Sequence, residues 1–295
     1  MLHRRVAPAP RTATQRATLR GMRWLRIGAI YTALTLGSIS FLLPLAWMIS
    51  TAVKPDPQIF LFPPKWIPEP VLWGNFKAAI EYFPFWLYFK NTTLITVSVV
   101  LGQVFSAAFV AYGFAKLRWP GRDAVFILVL ATMMLPGQIT MIPLFVLFTR
   151  LGWIDTYLPL IVPSLFGGGA FNIFLFRQFF RSIPNELSDA ARIDGCSEFR
   201  VFWQIVLPLA KPAAATVAIF AFLWTWNDFL GPLIYLHSRE KFTLALGLRA
   251  FQQATTTQWN LLMAGSLIVM LPVLVLFFLL QRYFVQAVML TGLKG

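Results

Sequence analysis

The chain has 295 residues, of which 58% are hydrophobic and 12% charged, against about 25% charged in an ordinary soluble domain. Its apolar residues gather in uncharged blocks of about twenty or more, the length that crosses a hydrocarbon layer, which excludes a soluble globular fold. The single cysteine, Cys196, excludes an intrachain disulfide and any metal site built from several thiolates, while the net charge of +14 is spread between apolar blocks and needs no nucleic-acid partner.

Residues 1–26 carry seven arginines among Thr, Ala and Pro, and read as a mobile basic arm that anionic headgroups attract. The apolar stretch that follows outruns the core of a secretory signal, so 27–53 is read as an uncleaved first span. From there a single membrane domain is expected over 27–295. The segment 54–90 is rich in proline with Trp66, Trp73 and Trp86 interleaved, which predicts an ordered interfacial loop with a short surface helix over 75–82. Further spans follow at 91–115, 124–149 and 156–176. Pro44, Pro136, Pro143, Pro159, Pro163 and Pro272 are expected to kink several of the spans. Gly167, Gly168, Gly169 and Asn172 read more readily as helix packing than as ligand contacts.

Between the fourth and fifth spans lies a long insert, 177–211. Pro184 suits a helix start, Glu186 and Asp189 complement the positive end of its dipole, and Gly195 is a left-handed stop, predicting a helix over 184–194. A second helix begins with Ser197 as N-cap and Glu198 in its first turn, and runs through Ile205 to Pro208. The pair forms a knuckle with a small-residue surface of Ala190, Ala191 and Gly195 and a charged rim of Arg192, Asp194 and Arg200. The fifth span, 212–236, is interrupted by Asp228, and the sixth covers 261–281.

An intramembrane acid is costly to insert, so Asp228 must face protein or water. Trp224, Trp226 and Asn227 beside it would suit the polar and aromatic lining of a path through the membrane; equally, Asp228 could cap a helix break near the end of its span. Six crossings place both termini on one side, which then carries seventeen basic residues against eight opposite, so the positive-inside rule puts both termini in the cytoplasm.

The spacing Asp189-Ala190-Ala191, three residues, Gly195, nine residues, then Ile205-x-Leu207-Pro208 resembles the signature loop of permease subunits of ATP-binding-cassette importers. Asp189 stands where that family usually has glutamate, a departure that keeps the charge. The second span and its exit, NTTLITVSVVLGQVFSAAFVAYGFAKLRWPGRD, and the fifth-span run WNDFLGPLIYL are similar to the carbohydrate-uptake type. The tail QRYFVQAVMLTGLKG resembles the end of maltose-type second permease subunits.

The resemblance implies a six-helix, N-in/C-in, all-α membrane protein of a prokaryotic inner or plasma membrane, importing a carbohydrate. It implies that the knuckle is a coupling helix seated in a cleft of an ATPase dimer. The last residues, Gly292, Leu293, Lys294 and Gly295, would reach into the ATPase interface. A second, homologous permease and an extracytoplasmic substrate-binding protein complete the implied assembly. With no G-x-x-x-x-G-K-[ST] loop in the chain, ATP and Mg²⁺ would be bound by the partner subunits, leaving this subunit non-catalytic and without a cofactor of its own. The rival reading is a secondary transporter driven by an ion gradient, for which one intramembrane acid and no inverted repeat are poor support. A membrane enzyme is poorer still, because His3 and His237 build no acid–base constellation.

Overall fold

A backbone surrounded by hydrocarbon must satisfy its own N–H and C=O groups, so long apolar segments of this composition can only be helices. The computed structural model describes residues 13–252 and 256–292, with side chains described from 24 to 252 and 256 to 281. Among the described residues there is no strand, only helices, turns and loops.

The first helix, α1, spans Ala13–Ala52. The sequence reading made 1–26 an arm separate from the membrane domain, but 13–26 continue the helix of the first span. The physical reason lies in ATQRATLRGMRWLR, which is rich in strong helix formers and free of proline after Pro10. The first twelve residues of the arm lie outside the described residues.

Helix α2 (Gly74–Glu81) falls on the predicted surface helix. The buried Asn75 ties it to the end of α1, its Nδ2 donating to the Ala52 and Lys54 carbonyls at 2.9 and 3.1 Å. Helix α3 (Phe85–Ala115) is the central column. Its Ala107, Ala108 and Ala111 are fully buried, the small residues that let helices approach closely without a hydrophobic driving force.

The third predicted span is broken. Helix α4 (Arg122–Ala131) and a 3₁₀ turn over Thr132–Met134 end at Leu135–Pro136, and α5 (Gly137–Arg150) departs at 97°. Proline explains this break, because it restricts the residue before it and lacks a ladder donor. Pro44, Pro143 and Pro272, by contrast, lie inside α1, α5 and α14, which run on through them. The fourth span is α6 (Leu158–Ile161), a 3₁₀ turn over Val162–Leu165, three glycines and α7 (Ala170–Ser182).

The insert folds as α8 (Asn185–Ile193), α9 (Glu198–Val201), a π turn over Phe202–Val206 and α10 (Leu207–Leu209). The chain then bends by 78° into α11 (Lys211–Trp226). At 16 residues α11 is about 24 Å long, short of the roughly 30 Å of a hydrocarbon core. The predicted fifth span is therefore discontinuous, resuming after Asn227–Phe229 as α12 (Leu230–Tyr235). Helix α13 (Leu244–Leu248) and the long α14 (Trp259–Gly292) complete the chain.

Among the described residues four helical runs are long and apolar enough to cross a membrane, and the two bent pairs bring the number to six if each pair is one span. One core gathers α3, α4, α7, the insert and α11 around Phe176, Phe180, Val201 and Val206. The other joins α2, the start of α3, α13 and α14 around Phe251 and Leu244. Helix α1 instead turns Leu34, Phe41 and Leu42 outward, a face that hydrocarbon solvates as readily as a protein core.

Candidate functional site

Two regions bring the predicted residues together, a knuckle at one end of the bundle and a cavity beside the break in the fifth span. In the knuckle, α8 ends as predicted on Gly195, at φ +81. The Cys196 N–H bonds to the Ala191 carbonyl at 2.9 Å and the Gly195 N–H to Arg192 at 3.0 Å, a Schellman closure that satisfies the last carbonyls of the helix. Ser197 then caps α9 through the Arg200 N–H at 3.4 Å.

A charged lattice fixes the angle between the two short helices. Arg192 donates through Nε and Nη2 to the two carboxylate oxygens of Glu198, at 2.6 and 3.2 Å, and through Nη1 to Asp189 Oδ1 at 2.6 Å. Such a two-pronged guanidinium–carboxylate contact restricts orientation as well as distance. It holds the Glu198 carboxyl below its ordinary range, with Tyr112 assisting, while its two acids push Arg192 further up. Tyr112 of α3 donates to Glu198 at 2.6 Å. Lys116, just past α3, donates to the Ile183 carbonyl at 2.6 Å and to Asn185 Oδ1 at 2.8 Å. Thus two α3 anchors carry the knuckle.

The inner side of the knuckle is core: Ala191, Val201, Phe202 and Val206 are buried against α3 and α7. Its outer side is apolar yet uncovered. Ile193 is 87% exposed, and Leu187, Phe199 and Trp203 are exposed with it, as are Glu186, Asp189, Ala190, Asp194 and Gly195. Phe199 stacks on Trp203, which stacks in turn on Phe105.

The cavity, of about 430 Å³, lies between α3, α6, α11 and α12 and is lined by Gln103, Ser164, Gly168, Trp224, Asp228 and Tyr235 among others. Its floor depends on the three glycines before α7, at φ +83, +64 and +91. Gly168 presses on α3, where an added Cβ would stand 2.6 Å from the Gln103 carbonyl oxygen and 2.9 Å from Ala107 Cβ. Asn172 closes the turn, its Nδ2 donating to the Gly168 carbonyl at 2.7 Å and to Gln103 Oε1 at 3.0 Å. Asp228 accepts the Gly231 N–H at 3.1 Å, so its carboxylate caps the resumed helix while also lining the cavity. Of the two readings left open by the sequence, the cap at a helix break is the one this contact shows.

The profile of the family described as "binding-protein-dependent transport system inner membrane component" matches residues 103–290. The chain belongs to this family. It is a multi-pass membrane permease subunit. It is 38% identical over 211 residues to the arabinooligosaccharides transport system permease protein AraQ of Halalkalibacterium halodurans, covering 72% of this chain and 75% of the relative. To the sn-glycerol-3-phosphate transport system permease protein UgpE of Yersinia pestis it is 33% identical over 261 residues, 86% of this chain and 92% of the relative. Among solved structures, a chain of a bacterial ABC transporter involved in the import of the acidic polysaccharide alginate shares the fold. That superposition has a TM-score of 0.76 at 24% identity and covers 94% of the permease and 100% of that chain.

The structure redistributes several predicted residues of the permease. Ala191, expected on the small-residue surface, packs into the core, because residues three apart on α8 from the buried Ser188 share its inner face. Arg192, expected on the charged rim, is engaged within the knuckle. Ile205 and Leu207 are half-buried against the core, whereas Pro208 is exposed. Trp226, expected on the path, is only 3% exposed and donates from Nε1 to the Val269 carbonyl of α14 at 3.0 Å. Trp224, two residues away and on the other face, is 82% exposed and lines the cavity. Asn227 is exposed at the break, its Nδ2 donating to the Leu223 carbonyl at 2.8 Å. Gly292 ends α14, and Leu293, Lys294 and Gly295 lie outside the described residues.

Tyr112, Lys116 and Gln103 were missed by sequence reasoning. Each sits in an apolar or basic stretch with no local pattern announcing a partner, and their partners are 86, 67 and 69 positions away in sequence.

Proposed function

We propose that the chain is the six-span, N-in/C-in transmembrane subunit of an ATP-binding-cassette importer for a carbohydrate: an oligosaccharide, sugar or polyol, phosphorylated or not. The names of its relatives, which specify arabinooligosaccharides and sn-glycerol-3-phosphate, support this substrate class. The bias of seventeen basic residues against eight supports the orientation. In this reading the 184–206 knuckle of the 177–211 insert docks on a separate ATPase dimer that holds ATP and Mg²⁺. A second permease completes the pore, and an extracytoplasmic binding protein delivers substrate. Residues 292–295 reach toward the ATPases. Trp224, Asn227 and Asp228 contribute to the translocation path.

The observation that carries the coupling assignment is the uncovered apolar face of α8 and α9, around Ala190, Ile193, Phe199 and Trp203, on a knuckle braced internally by Arg192 and Glu198. A rigid apolar prominence outside the spans transmits displacement only if a partner cleft grips it. Work entering there reaches α3 through Tyr112 and Lys116, and α11 through the bend at Ala210.

Ala190→Arg tests this directly, since Ala190 is exposed on a helix that tolerates arginine, and surface changes of this kind cost about 0.5 kcal/mol or less. The variant chain should accumulate normally yet lose both co-purifying ATPase and ATP-driven uptake. Wild-type levels of both would refute the docking assignment.

A further inference from the structure

Where α3 hands over to α4, two adjoining recesses of about 340 and 350 Å³ open at the end of the spans. Their walls bring together Arg118, Arg122, Arg177 and Arg181 with a single acid, Asp123. Arg177 is 8% exposed and forms the floor, with Nη2 donating to Asp123 Oδ1 at 3.2 Å, Nε donating to the Phe114 carbonyl at 3.3 Å and the guanidinium 4.0 Å from the Phe126 ring centroid. Arg122 donates to the same Asp123 Oδ1 at 3.2 Å and to the Leu117 carbonyl at 3.1 Å. One carboxylate is therefore shared by two guanidinium groups. The side chains of Arg118 and Arg181 make no hydrogen bond or ion pair among the described residues.

Such an excess of positive charge around a recess calls for an anion, and the surroundings restrict which kind. Helix α4 starts at this rim with no side chain capping its first turn, which adds the positive end of its dipole. It leads away from the recess with Val125, Ile127 and Leu128 exposed, an apolar strip continuous with the membrane-spanning face. Trp119 stands at the same level, its indole N–H on the Gly113 carbonyl at 3.2 Å, as aromatic side chains do among headgroups. None of these arginines belongs to the exposed face of the knuckle.

We propose that this recess binds the phosphate of an anionic phospholipid, with Arg118 and Arg181 engaging the headgroup, Arg122 and Arg177 holding the floor, and the exposed face of α4 carrying the acyl chains. Basic pockets between membrane helices take anionic headgroups on these grounds. The proposal does not depend on which substrate the permease carries.

The test uses the full chain in mild detergent, titrated with phosphatidylglycerol, with phosphatidylcholine of the same acyl chains, and with inorganic phosphate. Thermal unfolding midpoint and retained lipid by native mass spectrometry are read together. Phosphatidylglycerol should raise the midpoint and remain bound, whereas the other two should do neither. The double substitution Arg118→Gln with Arg181→Gln removes two groups that brace nothing in the fold. Each arginine near an anionic surface changes affinity about five-fold, so the pair should weaken phosphatidylglycerol binding by about twenty-five-fold. Arg118→Lys with Arg181→Lys should restore most of it. An unchanged affinity in the glutamine variant, equal binding of phosphatidylcholine, or a full effect from inorganic phosphate alone would each overturn the proposal, the last by marking a solute anion site instead.

Discussion

Substituting Gly168 by alanine separates two costs that usually come mixed. Gly168 has φ +64 and its missing Cβ would lie 2.6 Å from a carbonyl oxygen and 2.9 Å from a methyl group, both on α3. A left-handed backbone costs an L-residue about 1–2 kcal/mol, and forcing a methyl into a packed contact adds about 1–3 kcal/mol. The expected loss is therefore about 2–5 kcal/mol. Gly195 supplies the control, since at φ +81 its Cβ would meet nothing within 4 Å, leaving the backbone cost of about 1–2 kcal/mol alone. Reversible unfolding in mixed micelles should rank wild type above Gly195→Ala above Gly168→Ala. Because the glycine turn floors the cavity, Gly168→Ala should also displace α7 from α3 and lower uptake at equal protein. If the two alanine variants proved equally stable, the close approach to α3 would be wrong.

Three other outcomes follow from particular contacts. Trp226→Phe removes the indole N–H bond to the Val269 carbonyl and should cost about 0.5–1.5 kcal/mol in unfolding measurements, whereas Trp224→Ala, on the cavity wall, should leave stability nearly unchanged and alter uptake kinetics. Glu198 has a folded-state pKa held below its ordinary 4.5, so its contribution is present at pH values above 4.5 and lost as pH falls through the lower folded value. Acid melting curves of wild type and Glu198→Gln should then differ at neutral pH and converge once pH has fallen below the lowered folded value, and curves that stayed parallel would remove Glu198 from the bracing of the knuckle. Asp155, at φ +57, accepts the His237 and Ser238 N–H groups at 3.0 and 2.9 Å and pairs with Lys241 at 3.0 Å. Asp155→Ala removes two backbone hydrogen bonds and the pair with Lys241 and should cost about 1–3 kcal/mol, with protease cleavage appearing first within 236–243.

Much of the permease was legible before its fold because its signals are local. Hydrocarbon demands long uncharged stretches, so span existence is written in composition, and the glycine stop and serine cap of the knuckle are written in single residues whose backbone or side-chain chemistry acts over one turn. Positions along the elements were harder. The helix starting at Ala13 crossed an assumed boundary because charge, which marks the edge of the hydrocarbon, does not end a helix.

What the sequence by itself determined is the solvent and the punctuation: a chain of apolar helices, the proline and glycine positions that break or end them, and the signature insert. Only the tertiary structure decided which faces those helices show, because Trp224 and Trp226, or Ala190 and Ala191, are interchangeable until a neighbouring helix covers one and leaves the other. It also decided the partners of the charges. Tyr112 finds Glu198, Arg177 finds Asp123 and Asp155 finds Lys241 across separations of 86, 54 and 86 residues, distances over which chain connectivity carries no pairing information and packing alone selects the match.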